Sequence, residues 1–127
     1  MSITNFESIT YELTEDEMKH VNGLILALKL RRKETAIKAP EIVKSMNIFA
    51  ERHGLIKMTE ARLRKCINFI RSNSLLPVIA TSQGYFCSYD DKELSDQIKS
   101  LTERANSIFD CVRGLDKILK IHTKNNE

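Results

Sequence analysis

Tryptophan is absent from this sequence, proline occurs twice, glycine four times, and cysteine and histidine three times each. So little Pro and Gly excludes collagen-like and low-complexity chains. An odd number of widely spaced cysteines, Cys66, Cys87 and Cys111, argues against a closed disulfide framework and points to buried thiols in a reducing compartment. His20, His53 and His122 stand alone, and with no C-x-x-C or H-E-x-x-H no metal site is expected. The phosphate-binding patterns G-x-G-x-x-G and G-K-S/T are also missing, and the carboxylates sit in helix first turns, where the helix dipole accounts for them. No enzyme and no cofactor is therefore expected. No apolar run approaches the roughly 20 residues that cross a bilayer. The opening MSITNFESITYELTEDE is acidic and lacks the basic and apolar regions of a secretory signal. A cytoplasmic protein is expected.

What the sequence does contain is 42% hydrophobic and 29% charged residues, enough to bury a core without disulfide or metal staples. The net charge of +3 hides an uneven distribution. Residues 1–28 carry one Lys against five acids, residues 29–73 carry twelve Lys and Arg against four Glu, and residues 74–127 carry seven against eight. Twelve against four makes the middle segment +8. A local excess of that sign is the footprint of a nucleic-acid-binding module, whereas an even mixture of solvated charges would come out near zero.

Thr14 begins T-E-D-E, an N-cap followed by three acids, with capping-box spacing to Glu17. Met18, Val21, Leu24, Ile25 and Leu28 then fall on one helix face, and Lys29, Arg31, Arg32 and Lys33 fill a last turn. A first helix from Thr14 to about Lys33 or Glu34 follows. Thr35 to Lys38 reads as a short strand. Pro40, with Ala39 as its cap, opens a second helix whose stripe is Ile42, Val43, Met46 and Phe49 or Ala50, and Gly54 stops it. Thr59 caps a third helix running to about Asn73, with Leu63, Cys66, Ile67 and Ile70 as its core positions.

The period then changes. Leu76 to Ala80 and Tyr85 to Tyr89 are β-rich runs joined by T-S-Q-G, a hairpin in which glycine supplies a positive φ and Tyr85, Phe86 and Tyr89 serve sheet and core. From Asp90 a last helix carries Leu94, Ile98, Leu101, Ala105, Ile108, Val112, Leu115 and Leu119 at alternating steps of four and three, the spacing of a coiled-coil seam. Gly114 is where it would end or kink, and the tail HTKNNE is expected to fray.

Helix, short strand, helix, helix, hairpin and long helix is the element order of a winged helix-turn-helix. The expected fold is mainly α with a small antiparallel sheet over residues 1–90, followed by a long C-terminal helix over 91–127. The stretches L-R-K-C-I-N-F-I-R from Leu63 and L-P-V-I-A-T-S-Q-G-Y-F from Leu76 carry a further clue. The chain resembles the small winged-helix proteins of bacteriophages and prophages over roughly residues 12–120, most specifically in the L-R-x-x-I-N-x-I-R pattern and the Gly84-Tyr85-Phe86 that follows. That resemblance implies a winged-helix fold and DNA binding in replication or regulation, in the host cytoplasm.

In a winged helix the third helix enters the major groove and the hairpin tip touches backbone. Opposite its core positions this third helix carries Ala61, Lys65, Asn68 and Ser72, flanked by Arg62 and Arg64. Arg62 and Lys65 have the donors for guanine or phosphate, and Asn68 those for adenine; Arg32, Lys57, Thr59 and Arg64 are candidates for backbone positioning. Ser82 and Gln83 at the hairpin tip complete the set, although a tip without Lys or Arg reads better as a plain polar turn. Arg64 and Arg71 flank the core and stand equally well as structural arginines. The bland alternative for the whole helix is an ordinary solvated face. Local charge, cap and hairpin together favour double-stranded DNA.

The last helix either packs on the first or pairs with its copy in a homodimer through Leu94, Ile98, Leu101, Ala105, Ile108, Val112, Leu115 and Leu119. About 30 residues of helix span about 45 Å, longer than a three-helix core needs, which favours the dimer. The rival reading is a protein-interaction module on the same scaffold, meeting a host or phage protein through the acidic N-terminus or the apolar last helix.

Overall fold

A computed structural model describes residues 12–125. Of the acidic start, offered above as a protein-contact surface, residues 1–11 lie outside the described residues, as do the last two residues of the tail, while Glu12, Glu15, Asp16 and Glu17 are described. The chain is mainly helical with a two-stranded antiparallel sheet and a long C-terminal helix. It divides into two compact units, one ending at Asp90 and the other beginning at Asp91.

The first unit starts with the capping box its sequence spells out. The Thr14 hydroxyl accepts the Glu17 N–H at 3.1 Å and Glu17 Oε1 accepts the Thr14 N–H at 3.0 Å, closing the single turn α1 (Glu15–Met18). The expected continuous first helix is corrected here. The chain turns at Lys19 and His20 and resumes as α2 (Val21–Leu28), which stops a full turn before Lys33. Buried His20 donates from Nε2 to the Ile56 carbonyl at 2.6 Å, which fixes the break. Beyond Leu28, the Thr35 hydroxyl accepts the Arg32 N–H at 2.9 Å and donates to the Arg32 carbonyl at 3.3 Å. These local bonds compete with helix continuation, and four crowded cations from Lys29 to Lys33 oppose it further.

A 3₁₀ turn, Lys33–Thr35, takes the first residue of the expected strand. What remains is a single bridge, in which Ile37 and Tyr85 exchange N–H···O bonds of 3.0 and 2.8 Å. Helix α3 (Ala39–His53) then opens with Pro40 in its first turn and closes on Gly54 at φ 63°. Ile42 and Ala50 are buried, whereas Phe49, the alternative to Ala50 in the stripe, is exposed and stacks on His53. Asn47 reaches from α3 to the turn before the next helix, accepting the Met58 N–H at 2.7 Å and donating to the Met58 carbonyl at 3.0 Å.

Thr59 caps α4 (Glu60–Ser72) by accepting the Arg62 N–H at 3.2 Å. Its four core positions are all buried, and α4 packs against α1, α2, α3 and the first strand. The hairpin is β1 (Val78–Thr81) and β2 (Gly84–Cys87), in register Val78 to Cys87 and Thr81 to Gly84. At Gly84, φ is 120° and a Cβ would lie 2.5 Å from the Ile37 carbonyl group, so the bridging segment comes this close only because the residue is glycine. Three sequence expectations of burial fail: Met18 and Tyr89 are exposed, and so is the thiol of Cys111.

The second unit is one helix, α5 (Asp91–Asn125). It runs unbroken through Gly114 and on to Asn125, so the helix does not end at Gly114. No α5 residue is buried. Among the described residues no helix is long and apolar enough to cross a membrane.

Candidate nucleic-acid interface

Glu17 organises the basic helix. Its place in the α1 capping box turns the carboxylate toward α4, where Oε1 accepts from Lys65 Nζ at 2.7 Å and Oε2 lies 3.6 Å from Arg62 Nε. The carboxylate side chain is only 7% exposed and the Lys65 side chain 12%. Burial pushes the Glu17 pKa up, but the hydrogen bonds from Lys65 and from the Thr14 backbone, with the Lys65 charge, outweigh it and bring it below the ordinary value. Cys66 sits one residue along. Burial, reinforced by the Glu17 charge and only partly offset by Lys65, drives its thiol up to about 11, so it stays protonated and inert near neutral pH.

Two of the three residues expected to read a groove are thus engaged within the fold. Lys65 is held by Glu17, and Arg62 divides itself between Glu17 and the Lys57 carbonyl, to which Nη1 donates at 2.8 Å. The third, Asn68, is exposed, but Glu12, Leu13 and Met18 join Lys65, Asn68, Phe69 and Ser72 in lining a groove beside it. A carboxylate there opposes phosphate.

The other flank of α4 is open. Arg64 is exposed, and among the described residues no side chain or carbonyl engages its guanidinium or the ammonium of Lys57 just before the helix. Arg71 on the same flank is structural, donating from Nε to the Val78 carbonyl at 3.0 Å. Thr59 spends its hydroxyl on the cap. Arg32 folds back on its own backbone, donating to the Lys29 and Arg31 carbonyls at 3.0 and 2.9 Å. Ser82 and Gln83 are exposed at the hairpin tip, where the Gln83 N–H closes a turn onto the Thr81 hydroxyl at 3.1 Å.

The residue missed by sequence reasoning is Glu17 in its second role. Its spacing to Thr14 identified the capping box, but the partner on α4 lies 48 positions away and nothing local signals it. Among the described residues, no group of three His, Cys, Asp or Glu side chains is placed to hold a metal ion. Comparison with protein-family models, curated proteins and solved structures returns no match for this chain.

Proposed function

We propose that this is a non-catalytic DNA-binding protein on a winged-helix scaffold, acting in the cytoplasm as a regulatory or replication accessory factor of the phage type it resembles. The observation that carries the reading is the sheet order. The β1–β2 hairpin follows directly on the α3–turn–α4 pair, as a wing follows a helix-turn-helix, and Ile37, which precedes α3, bridges back to β2. Of the candidate cations, Arg64 and Lys57 are those without a partner among the described residues and meet phosphate or guanine, with Asn68, Ser82 and Gln83 as neutral partners. Arg62 and Lys65 act as positioning residues that set α4 against α1.

The test is fluorescence anisotropy with a labelled duplex at low salt. Binding is expected, with a salt slope of about −0.9 per phosphate engaged, and Lys57→Glu with Arg64→Glu should abolish it. Absence of any duplex binding by the unaltered protein sinks the reading.

One observation favours the rival, a protein-interaction module. Leu26 and Phe49 stand 63% and 54% exposed on a groove of ≈ 430 Å³ between α2 and α3, whose walls also include Gly23, Ala27 and Met46. An amphipathic helix of a partner fits such a groove. Under this reading duplex binding is absent.

A further inference from the structure

The two halves of α5 differ in a way that the regular 4-3 spacing conceals. In the N-terminal half Leu94 and Leu101 are half-buried, and Ser95, Gln97, Thr102 and Arg104 flank the seam with polar side chains. From Phe109 to Asn125 every residue is exposed. There the stripe also widens. Phe109 and Ile118 add to the seam of Val112, Leu115 and Leu119 on its two sides, and these five side chains are 54–68% exposed. At 100° per residue Asp110, Arg113, Lys117, Lys120 and Lys124 turn away from the seam, with Ile121 among them, and Asp116 borders the seam beside Phe109. Asp116 pairs with Lys120 at 2.9 Å and Asp110 with Arg113, so these charges are paired within the helix, whereas among the described residues nothing buries the apolar side chains.

We infer that copies of this chain associate through the C-terminal half of α5, with Val112, Leu115 and Leu119 at the centre of the contact and Phe109 and Ile118 at its sides. The area decides in favour of a second copy. These five exposed apolar side chains offer roughly 100 Å² each, so two facing copies remove roughly 1,000 Å² from water, which reaches the lower bound of a specific interface. A 35-residue helix with no buried residue also needs a partner, because helices of this kind draw most of their stability from packing an apolar face. The contact is independent of DNA binding and stands or falls separately from it.

The experiment is sedimentation equilibrium of the full chain at tens of micromolar, with circular dichroism across a dilution series. A mass of at least twice the 14.6 kDa chain is expected, with helix signal falling on dilution. Val112→Asp with Leu119→Asp should return the protein to a monomer, the milder Leu115→Gln with Ile118→Gln should weaken association at least tenfold, and Ile98→Asp should leave it within about twofold. A monomer throughout overturns the inference. So does association that survives the first double variant or is lost in Ile98→Asp, and a monomer that co-sediments with phosphatidylglycerol vesicles would assign the face to a lipid surface instead.

Discussion

Helices α4 and α5 carry the same kind of apolar stripe and end in opposite conditions. In α4, Leu63, Cys66, Ile67 and Ile70 are at most 2% exposed, whereas α5 has no buried residue along 35 positions. Periodicity names the face that avoids water; it does not name what covers it. In α4 the cover comes from α1, α2, α3 and β1, elements of its own unit. The basic residues show the complementary contrast, since Lys65 and Arg62 lie where α1 reaches α4 and become structural, and Arg64 lies where it does not.

The sharpest way to break the comparison is to truncate one leucine in each helix. Leu63→Ala should cost about 4 kcal/mol of unfolding free energy, because a fully buried side chain leaves a cavity. Leu115→Ala should change the stability of the first unit by less than about 0.5 kcal/mol under dilute conditions. Urea unfolding measures both, and equal costs would mean that the exposed face of α5 is covered in the monomer.

A smaller effect tests the α1–α4 link. Glu17→Gln should lose about 2 kcal/mol at pH 7, the worth of hydrogen bonds to a charged group. Because the folded Glu17 pKa lies below its ordinary value of 4.5, its contribution is fully present above that pH and lost as pH falls through the folded value. The stabilities of the two proteins should therefore converge on acidification below 4.5, and a constant gap down to pH 2 would contradict the assignment. The smallest effect belongs to Gly114→Ala. A Cβ there meets nothing within 4 Å, so the helix should gain about 1 kcal/mol from propensity alone, read as a higher melting temperature of α5 by circular dichroism.

How much of this was legible in the sequence follows from the range of each interaction. The Thr14–Glu17 box, the Thr59 cap, the Gly54 stop and the four core positions of α4 are local, and each is where periodicity and capping rules place it. The first helix stops short of its expected end because the cations at Lys29–Lys33 suit a last helical turn by type, while the competing bonds come from Thr35 and from Ile56, outside the window. Met18 and Tyr89 fit an apolar pattern by type and spacing, yet burial depends on a neighbouring element and neither gains enough cover. The candidate site was legible as a basic helix. Which of its cations were free was not, because a carboxylate on another element decides it.

Asn47 has a consequence beyond local satisfaction. By meeting both the N–H and the carbonyl of Met58, its side chain behaves as a detached peptide unit, a one-residue strand grafted onto α3. Turning α4 about its axis would require breaking both bonds at once, inside a segment whose Met58 side chain is 1% exposed. The direction in which Lys57 and Arg64 leave the surface is therefore decided during folding. Whatever meets them encounters a helix already aimed, and the entropy of orienting it is not charged to the encounter.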